Sequence, residues 1–364
     1  MAERAYLRPT AFVDAPFGLD GKVERLAGGL AWFSAVEIVR TDGLRRISAE
    51  LVPVEAVGDA LDGLPEEARG AWANLTAPRP ALTLGERIVR LDQPQVVGIV
   101  NATPDSFSDG GLYQSSEAAA DSGHAMAAAG AAIIDVGGES TRPGAAPVWE
   151  GDELERVLPV VERLARSGTA VSIDTRKSSV MEAALAAGAA LVNDVSALTW
   201  DPRSAAVVAG AGCPVVLMHH QGPPETMQKA PRYDRPVPFE VYDWLEERIA
   251  AAVEAGIDRS SIVVDPGIGF GKSVQHNLQL LNGLSLLHGL GCPLMLGASR
   301  KRMIGALAGE APADRRLAGS LALALKGAEQ GVHLLRVHDV PDTVQALRVW
   351  RGLRDSALTP VTAE

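Results

Sequence analysis

Cysteine is scarce in this chain, with only Cys213 and Cys292 among 364 residues. Each precedes a proline at the start of an apolar run, and two isolated thiols are typical of a reduced protein without a disulfide framework. Long apolar segments are also missing, since no run approaches the roughly 20 residues of a membrane helix. The opening residues, MAERAYLRPT, lack the apolar core of a secretory signal. We therefore expect a cytoplasmic protein.

Positive charge is in short supply as well. The chain has 34 Lys and Arg against 45 Asp and Glu, a net charge of −11, which argues against nucleic acid as the main partner. No GxGxxG motif opens a helix near the N-terminus. GIGFGKS ends like a phosphate-binding P-loop, but Pro266 stands where that motif needs its first glycine. His219 and His220 have no Cys or His partners at the spacing of a zinc site.

One pattern recurs along the chain: a short run of β-branched and apolar residues ends in a carboxylate, an amide or a cation. Strands that are apolar on both faces belong to a parallel sheet covered by helices. About eight such runs alternate with helix-like stretches, and they lie near Val96, Ala132, Ala170, Leu191, Pro214, Ile262, Pro293 and His333. This count and rhythm predict an α/β fold, a (β/α)₈ TIM barrel whose polar strand ends form the catalytic face.

The chain is longer than a minimal barrel, and the surplus lies before the Pro-rich segment TAPRP. We predict a small α/β N-terminal extension of unknown role over residues 1–82, a catalytic barrel over 83–355 and a tail over 356–364. Within the barrel, Ser115 and Ser116 precede an Ala-rich run that Gly130 closes. That arrangement predicts a helix from Glu117 to Ala129.

The polar residues at the predicted strand ends suit a particular kind of ligand. Asp174, Asn193 and Asp265 supply the acceptors and donors that would bind the edge of a flat nitrogen heterocycle. Positive charge is expected from Arg142, Lys301, Arg336 and His338, and a neutral oxygen from Asn101, which together suit a diphosphate with bound Mg²⁺. No Ser or Cys nucleophile with a His base is evident. The pattern therefore predicts an aromatic ligand whose anionic group leaves.

Seven segments of the chain, taken together, are similar to one family. They are NATPDSFSDGG, DVGGESTRPGA, SIDTRK, NDVSA, DPGIGFGK, GASRK and RVHDV, and they occur in the family's order between about Leu84 and Trp350. On these segments the chain resembles the dihydropteroate synthases, folate-pathway TIM-barrel transferases and targets of sulfonamide drugs. The resemblance implies condensation of 6-hydroxymethyl-7,8-dihydropterin diphosphate with 4-aminobenzoate, giving 7,8-dihydropteroate and pyrophosphate. It also implies a homodimer.

The resemblance implies a role for each matching residue. The pterin would be held by Asp174, Asn193, Met218, Asp265 and Lys301. The diphosphate would be held by Asn101, Arg142, Arg336 and His338, with Asn101 also binding Mg²⁺. The aminobenzoate would be held by Phe107, Thr141, Arg142, Pro143, Phe270, Ser299 and Lys301. The catalytic set would be Asp174, Asp265, Lys301, Arg336 and His338, acting on a diphosphate that departs before the amine attacks.

Two alternatives are carried beside this interpretation. A pterin-dependent methyltransferase of related architecture would bind a methylated folate, but it would not need the diphosphate and aminobenzoate residues. A non-catalytic pterin-binding paralogue would act through the N-terminal extension. The chain also departs from the family pattern in the segment MHHQGPPETMQ, at His220 and Glu225.

Overall fold

The structure of the chain, a computed structural model, describes residues 3–43, 45–102, 111–140, 147–222 and 226–359, with backbone only for 111–115. The strands are β1 Arg4–Val13, β2 Glu24–Arg25, β3 Trp32–Thr41, β4 Arg46–Pro53, β5 Leu82–Leu84, β6 Arg87–Val89, β7 Gln95–Asn101, β8 Ile133–Gly137, β9 Val171–Asp174, β10 Leu191–Asp194, β11 Val215–Met218, β12 Ile262–Asp265, β13 Met295–Leu296 and β14 Leu334–Val337.

Helices fill most of the connections. The α-helices are α1 Val57–Leu61, α2 Glu66–Thr76, α3 Gly111–Ala129, α4 Glu150–Arg166, α5 Ser178–Ala186, α6 Ser204–Ala211, α7 Val237–Glu254, α8 Val274–Asn282, α9 Arg302–Leu307, α10 Leu317–Glu329 and α11 Val340–Ala357. Short 3₁₀ helices cover Leu26–Gly28, Val54–Ala56, Arg259–Ser261, Leu284–Leu290 and Ala313–Arg315. No helix in the described ranges is long and apolar enough to cross a bilayer.

Strands β7 to β14 form one parallel sheet in the order β12-β11-β10-β9-β8-β7-β14-β13. A parallel bridge between Val264 and Leu294 joins its two outer strands, so the sheet closes on itself. All eight predicted strands are present, and the predicted TIM barrel is confirmed. Because every strand runs in the same direction, the polar residues at the strand ends gather at one mouth.

One predicted helix boundary is wrong. Helix α3 begins at Gly111, so Ser115 and Ser116 lie inside the helix rather than before it. Serine costs little inside a helix whose neighbours are alanines, so the two serines need not mark its start. The predicted end is correct, because Gly130 adopts φ +112°, a conformation that favours glycine.

A two-stranded hairpin, β5 with β6, covers the amino-terminal ends of the barrel strands. Its side chains Leu82, Leu84 and Val89 are buried, together with Leu91 just after it. They form one apolar cluster with the first residues of the barrel strands, among them Val97, Ile133, Leu191, Val263 and Leu334. This hairpin closes the barrel at the end opposite the polar residues.

The N-terminal extension contains an antiparallel sheet in which β3 pairs with β1 on one side and with β2 and β4 on the other. Helix α2 packs on this sheet, and Leu7, Phe33 and Leu75 are fully buried between them. The opposite face meets the barrel at Tyr6, which stacks on Phe239 of α7 with 4.4 Å between ring centroids. The extension therefore lies against the outer helices.

Candidate active site

Five polar side chains converge at the carboxyl ends of the barrel strands. They come from different strands and are Asp135 (β8), Asp174 (β9), Asn193 (β10), Asp265 (β12) and Arg336 (β14). They stand at one end of a pocket of about 330 Å³ in part open to solvent. Its lining is Asp174, Asn193, Val195, Met218, Asp265, Gly267, Ile268, Phe270, Gly297, Lys301 and Arg336.

Arg336 joins two of the carboxylates. Its Nε donates to Asp135 Oδ2 and its Nη2 to Asp174 Oδ2, each at 2.6 Å. Burial raises the pKa of Asp174, and the Arg336 guanidinium opposes that rise. Burial lowers the pKa of Arg336, but the two carboxylates outweigh it and the net shift is upward. The guanidinium therefore stays protonated beside two buried carboxyl groups.

Two carboxylate oxygens at the site have no hydrogen-bond donor among the described residues. Asp174 Oδ1 and Asp135 Oδ1 are buried and accept no hydrogen bond within the described residues. Buried polar atoms normally have a partner, so the unpartnered Asp174 Oδ1 at the base of the pocket indicates a ligand that brings an N–H or O–H group. The Asn193 amide donates to Asp135 Oδ2 at 3.0 Å, which fixes the amide orientation.

Asp265 is the third buried carboxylate. Its Oδ1 accepts the Gly267 backbone N–H at 2.6 Å, which ties the side chain to the turn that follows β12. Burial raises the pKa of Asp265, and the Gly267 hydrogen bond opposes the rise. Gly267 itself has φ +65°, and a Cβ there would meet the His219 carbonyl oxygen at 1.9 Å. Only glycine fits at this position without moving the backbone.

The open side of the pocket carries a cation and an aromatic ring. Lys301 Nζ lies 4.1 Å from the centroid of the Phe270 ring. Met218 at the end of β11 is buried and faces the same pocket. A flat ring bound between the carboxylates and Lys301 would therefore contact apolar atoms on its faces and polar atoms on its edge.

Ser299 and His338 are paired with each other beside this pocket rather than lining it. Ser299 Oγ accepts the His338 backbone N–H at 3.2 Å and lies 3.1 Å from His338 Nδ1. Burial lowers the pKa of His338 to about 4, with Arg336 adding to the effect. This shift favours a neutral imidazole, and the predicted role of His338 at the diphosphate stays a prediction.

Several of the predicted site residues lie outside the described residues, namely Phe107, Thr141, Arg142 and Pro143, and so does Glu225. Their predicted roles stay predictions. Asn101 is described, and it ends β7 next to Gly137 of β8 with its side chain half-buried. It stands at the same mouth as the carboxylates. His220, the other departure from the family pattern, packs edge-on against Trp244.

Lys272 excludes the P-loop interpretation. The side chain is buried, and its Nζ lies 2.8 Å from His219 Nδ1 while donating to the carbonyl oxygens of Gly267 at 3.0 Å and Phe270 at 3.1 Å. Burial lowers its pKa well below the usual value. A P-loop lysine must reach a phosphate, whereas this one holds its own turn together.

The described residues offer no preformed metal cage, since none of them form a group of three or more His, Cys, Asp or Glu able to hold an ion. Mg²⁺ often uses only one or two protein oxygens, with phosphate and water supplying the rest. The half-buried Asn101 carboxamide at the mouth fits that mode of binding. Cys213 and Cys292 are free thiols, as predicted.

Asp135 is a site residue that the sequence interpretation missed. Unlike Asp174, which ends β9, it lies in the middle of its strand, as the third residue of β8. Its side chain is 1 % exposed and bonds to both Arg336 and Asn193. The signal that could have found it is a carboxylate within the apolar run AAIIDVGG, where only a partner in the barrel interior makes burial of the charge possible.

Comparison with known proteins agrees with this geometry. The family model for the pterin binding enzymes matches residues 97–338. The dihydropteroate synthase of Escherichia coli K12 is 49% identical over 260 residues, which covers 71% of this chain and 91% of that protein.

Solved structures give the same result. The Xanthomonas albilineans dihydropteroate synthase with 4-aminobenzoic acid superposes with a TM-score of 0.72 at 50% identity, covering 76% of this chain and 98% of that one. The same enzyme in complex with 7,8-dihydropteroate gives a TM-score of 0.69 at 48% identity, covering 76% and 99%. This chain, with its carboxylate-lined pocket at the barrel mouth, therefore belongs to the dihydropteroate synthases, which are transferases within the family of pterin binding enzymes.

Proposed function

We propose that this chain joins 6-hydroxymethyl-7,8-dihydropterin diphosphate to 4-aminobenzoate, forming 7,8-dihydropteroate and pyrophosphate. The observation that carries the proposal is the buried Asp174 Oδ1, an acceptor without a donor at the base of a pocket. The pyrimidine edge of a pterin presents N–H donors to such an oxygen. Relatives that bind 4-aminobenzoic acid and 7,8-dihydropteroate support the same substrates.

In this proposal the pterin ring binds deep in the pocket. Its N–H groups donate to Asp174 and Asp265, Asn193 meets its remaining polar edge, and Met218 packs on its face. Lys301 donates to a ring acceptor from its ammonium group, which lies 4.1 Å from the centroid of the Phe270 ring. The contacts at the edge of the ring are polar and those at its face are apolar, so together they fix one orientation of the pterin.

Departure of the diphosphate breaks the bond between the pterin methylene carbon and the diphosphate oxygen, and the electron pair leaves with pyrophosphate. Lys301 and Arg336 are the cationic residues among the described residues that line the pocket, and both would stabilise the departing charge. Mg²⁺, held in part by the Asn101 oxygen, would neutralise charge on the leaving diphosphate. The lowered pKa of His338 favours its neutral form, in which it contributes hydrogen bonding through Ser299.

Asp174 and Asp265 then stabilise the cation left on the pterin methylene, because both carboxylates are buried where electrostatic effects are strong. The amine nitrogen of 4-aminobenzoate attacks that carbon, a C–N bond forms, and the amine proton passes to water or pyrophosphate. The nitrogen of an arylamine is weakly basic, so the enzyme has to hold it close to the methylene carbon more than it has to activate it with a base. Phe270 supplies the flat surface that positions its ring.

A homodimer is part of the same proposal. Helix α11 exposes Val349 and Leu353, which are 62% and 69% exposed, next to the partly exposed Trp350. Residues four apart lie on one side of a helix, so these side chains form an apolar stripe facing outward. A second copy of the chain is the occupant we propose for it. The cytoplasmic location stays a prediction.

The decisive measurement is pyrophosphate release from the purified protein with pterin diphosphate and Mg²⁺, with and without 4-aminobenzoate. The pteridine product is identified by mass. Release that depends on aminobenzoate and yields dihydropteroate supports the proposal. Pterin binding without pyrophosphate release contradicts it and favours the non-catalytic paralogue. Transfer of a methyl group from a methylated folate would favour the methyltransferase alternative.

A further inference from the structure

The N-terminal extension reaches the barrel next to one connection of the active site. Tyr6 of β1 is 2% exposed and donates its hydroxyl to Asp243 of α7, with distances of 2.8 and 3.0 Å to the two carboxylate oxygens. Burial and the neighbouring Asp243 carboxylate raise the pKa of Tyr6, so the hydroxyl keeps its proton. Asp243 also pairs with Arg4 of the extension at 2.9 Å.

The same carboxylate holds the β11–α7 connection. Arg235, near the end of that connection, pairs with Asp243 through its Nη1 and lies within 3.5 Å of the Tyr6 hydroxyl. Three donors from two parts of the chain therefore share one carboxylate: Arg4 and Tyr6 from the extension, and Arg235 from the connection. Charge-assisted bonds of this kind are stronger than ordinary ones.

The β11–α7 connection in turn supports the backbone of the turn after β12. Tyr233, two residues before Arg235, donates its hydroxyl to the Gly271 carbonyl at 3.0 Å. Gln228 donates its side-chain amide to the Gly269 carbonyl. Both bonds end on carbonyl groups of the turn that carries Phe270.

The fit between the connection and the turn is tight. Gly271 has φ +65°, and a Cβ there would meet the Gln221 carbonyl oxygen at 2.5 Å. At the other end of the turn, a Cβ on Gly267 would meet the His219 carbonyl oxygen at 1.9 Å. The two backbones therefore touch at both ends, and a shift in one must displace the other.

The turn ends at the substrate pocket. Phe270 lines the pocket, and its ring lies 4.1 Å from Lys301 Nζ. Three direct contacts thus link Tyr6 to the turn: its hydroxyl to Asp243, Asp243 to Arg235, and Tyr233 to the Gly271 carbonyl. The backbone connects them, since Tyr233 is two residues before Arg235 and Gly271 follows Phe270 in the chain. Chains of packed side chains and hydrogen bonds of this kind can carry energetic coupling between distant sites.

We propose that Tyr6 is a positioning residue, through which the N-terminal extension sets the place of the Phe270 ring for the second substrate. This inference rests on the proposed function, because it takes Phe270 to face 4-aminobenzoate. It gives the extension a role in the reaction although none of its described residues lines the pocket.

The test is Tyr6→Phe, which removes one hydroxyl and keeps the stack on Phe239. Asp243 retains both arginines in this variant, so we expect it to fold. We expect the KM for 4-aminobenzoate to rise about fivefold, in the range seen when residues between coupled sites are changed. The KM for pterin diphosphate and kcat should stay within about twofold, since Asp174, Asp265 and Arg336 are not touched.

A matched control comes from another contact of the same extension. Asn74 of α2 donates to the Gly289 carbonyl at 2.8 Å, in the 3₁₀ helix Leu284–Leu290, which is not part of the pocket lining. Asn74→Ala therefore also weakens docking of the extension without touching the path to Phe270. We expect it to lower the thermal midpoint but to leave the KM for 4-aminobenzoate unchanged.

A second readout does not depend on turnover. Hydrogen exchange of the amides in residues 226–235 and 267–273 should be faster in Tyr6→Phe than in the wild type, with α5 as the unchanged reference. A double variant with Tyr233→Phe should raise the KM less than the two single effects multiplied, because both act along one path.

The outcomes separate the two proposals. If the wild type forms no dihydropteroate, the proposed function fails, while the exchange data still test the contact path. If Tyr6→Phe has the wild-type KM and wild-type exchange, Tyr6 is not a positioning residue. An equal rise of KM in Asn74→Ala would also overturn the inference, because loose docking in general would then account for the effect.

Discussion

Arg336 and Asp174 form an ion pair across the barrel mouth, with 2.6 Å between Nη2 and Oδ2. Their strands, β14 and β9, are separated in the sheet by β7 and β8. The long arginine side chain therefore spans the opening and brings a cation to the oxygen next to the unpartnered Asp174 Oδ1. A ligand that donates to Oδ1 meets a carboxylate whose position is already fixed.

Lys301→Ala should reduce kcat/KM for pterin diphosphate by on the order of a hundredfold or more, because it removes a donor and a charge at the pocket. Steady-state pyrophosphate release measures the effect. Lys22→Ala, at an exposed position of the extension, is the control and should behave like the wild type. Wild-type kinetics in Lys301→Ala would refute the assignment.

Asp135→Asn tests the residue that the sequence interpretation missed. The variant keeps the shape but weakens the hold on Arg336 and Asn193, so kcat/KM should fall by roughly tenfold or more. Asp194→Asn is the comparison: Asp194 is equally buried but bonds to Ser196 and the Leu198 backbone rather than to Arg336. We expect Asp194→Asn to lower the free energy of unfolding while leaving kcat/KM close to the wild-type value. The same loss of activity in both variants at equal stability would contradict a special role for Asp135.

Pterin binding should weaken on the acid side at a pH above the usual carboxyl range. Burial raises the pKa values of Asp174 and Asp265, so these groups take up protons earlier as the pH falls, and a protonated carboxyl loses its acceptor charge. Titration of an unreactive pterin at several pH values measures this. In Arg336→Gln the opposing cation is gone, and the acid limb should move to higher pH. If pterin binding weakened only near the pKa of a free carboxyl group in both the wild type and Arg336→Gln, the role of Asp174 and Asp265 as pterin acceptors would be contradicted.

The buried pair His288 and His333 should make the fold acid-sensitive. Burial lowers the pKa of His288 to about 3, from an ordinary value of 6.5. Below about pH 6.5 this imidazole is protonated in the unfolded chain but stays neutral in the folded chain. The free energy of unfolding therefore falls as the pH drops below about 6.5. This costs about 2 kcal/mol at pH 5 for His288 alone.

Denaturant unfolding between pH 7 and 5 measures that slope. His288→Phe should make the slope shallower by up to about 1.4 kcal/mol per pH unit, whatever its effect at neutral pH. His124→Gln, which changes a histidine bonded to Ser167 on the barrel surface, is the control. An unchanged slope in His288→Phe would show that other groups cause the acid sensitivity.

Leu353→Glu should shift the protein towards a monomer if the α11 stripe is the dimer contact. A charge at a buried apolar interface lacks a partner and is costly, whereas at a free surface it is harmless. Light scattering after size exclusion gives the mass. Arg351→Glu is the control, because Arg351 lies two residues before Leu353 and therefore on the other side of the helix from the stripe. A monomeric wild type, or a dimeric Leu353→Glu, would be evidence against this contact.

Much of the architecture could be predicted because it depends on short-range patterns. Each barrel strand is a run of apolar residues ended by a polar one, as in Val171–Asp174, and this pattern survives in the sequence without any knowledge of neighbours. The gathering of Asp174, Asn193 and Asp265 followed from the parallel direction of the strands. Lys301 and Met218 were expected at the pocket through family resemblance, and both line it.

What depends on contacts between distant residues could not be predicted. The lowered pKa of His338 comes from burial and from Arg336 and Arg300, which no local pattern encodes. The pairing of Arg336 with Asp135 joins residues 201 positions apart. The docking of Tyr6 on α7 is of the same kind, because a tyrosine in an edge strand gives no sign of the carboxylate that it will meet.

The hairpin of β5 and β6 has a practical consequence for anyone who shortens this protein. Its leucines belong to the same apolar cluster as the first residues of the barrel strands. They nevertheless precede residue 97, where the match to the family model begins. A fragment that begins at residue 97 would leave the floor of the barrel open to water. The segment that matches the family model is therefore shorter than the segment needed for a closed barrel. A chain that lacks the hairpin is expected to aggregate, because it exposes the apolar cluster.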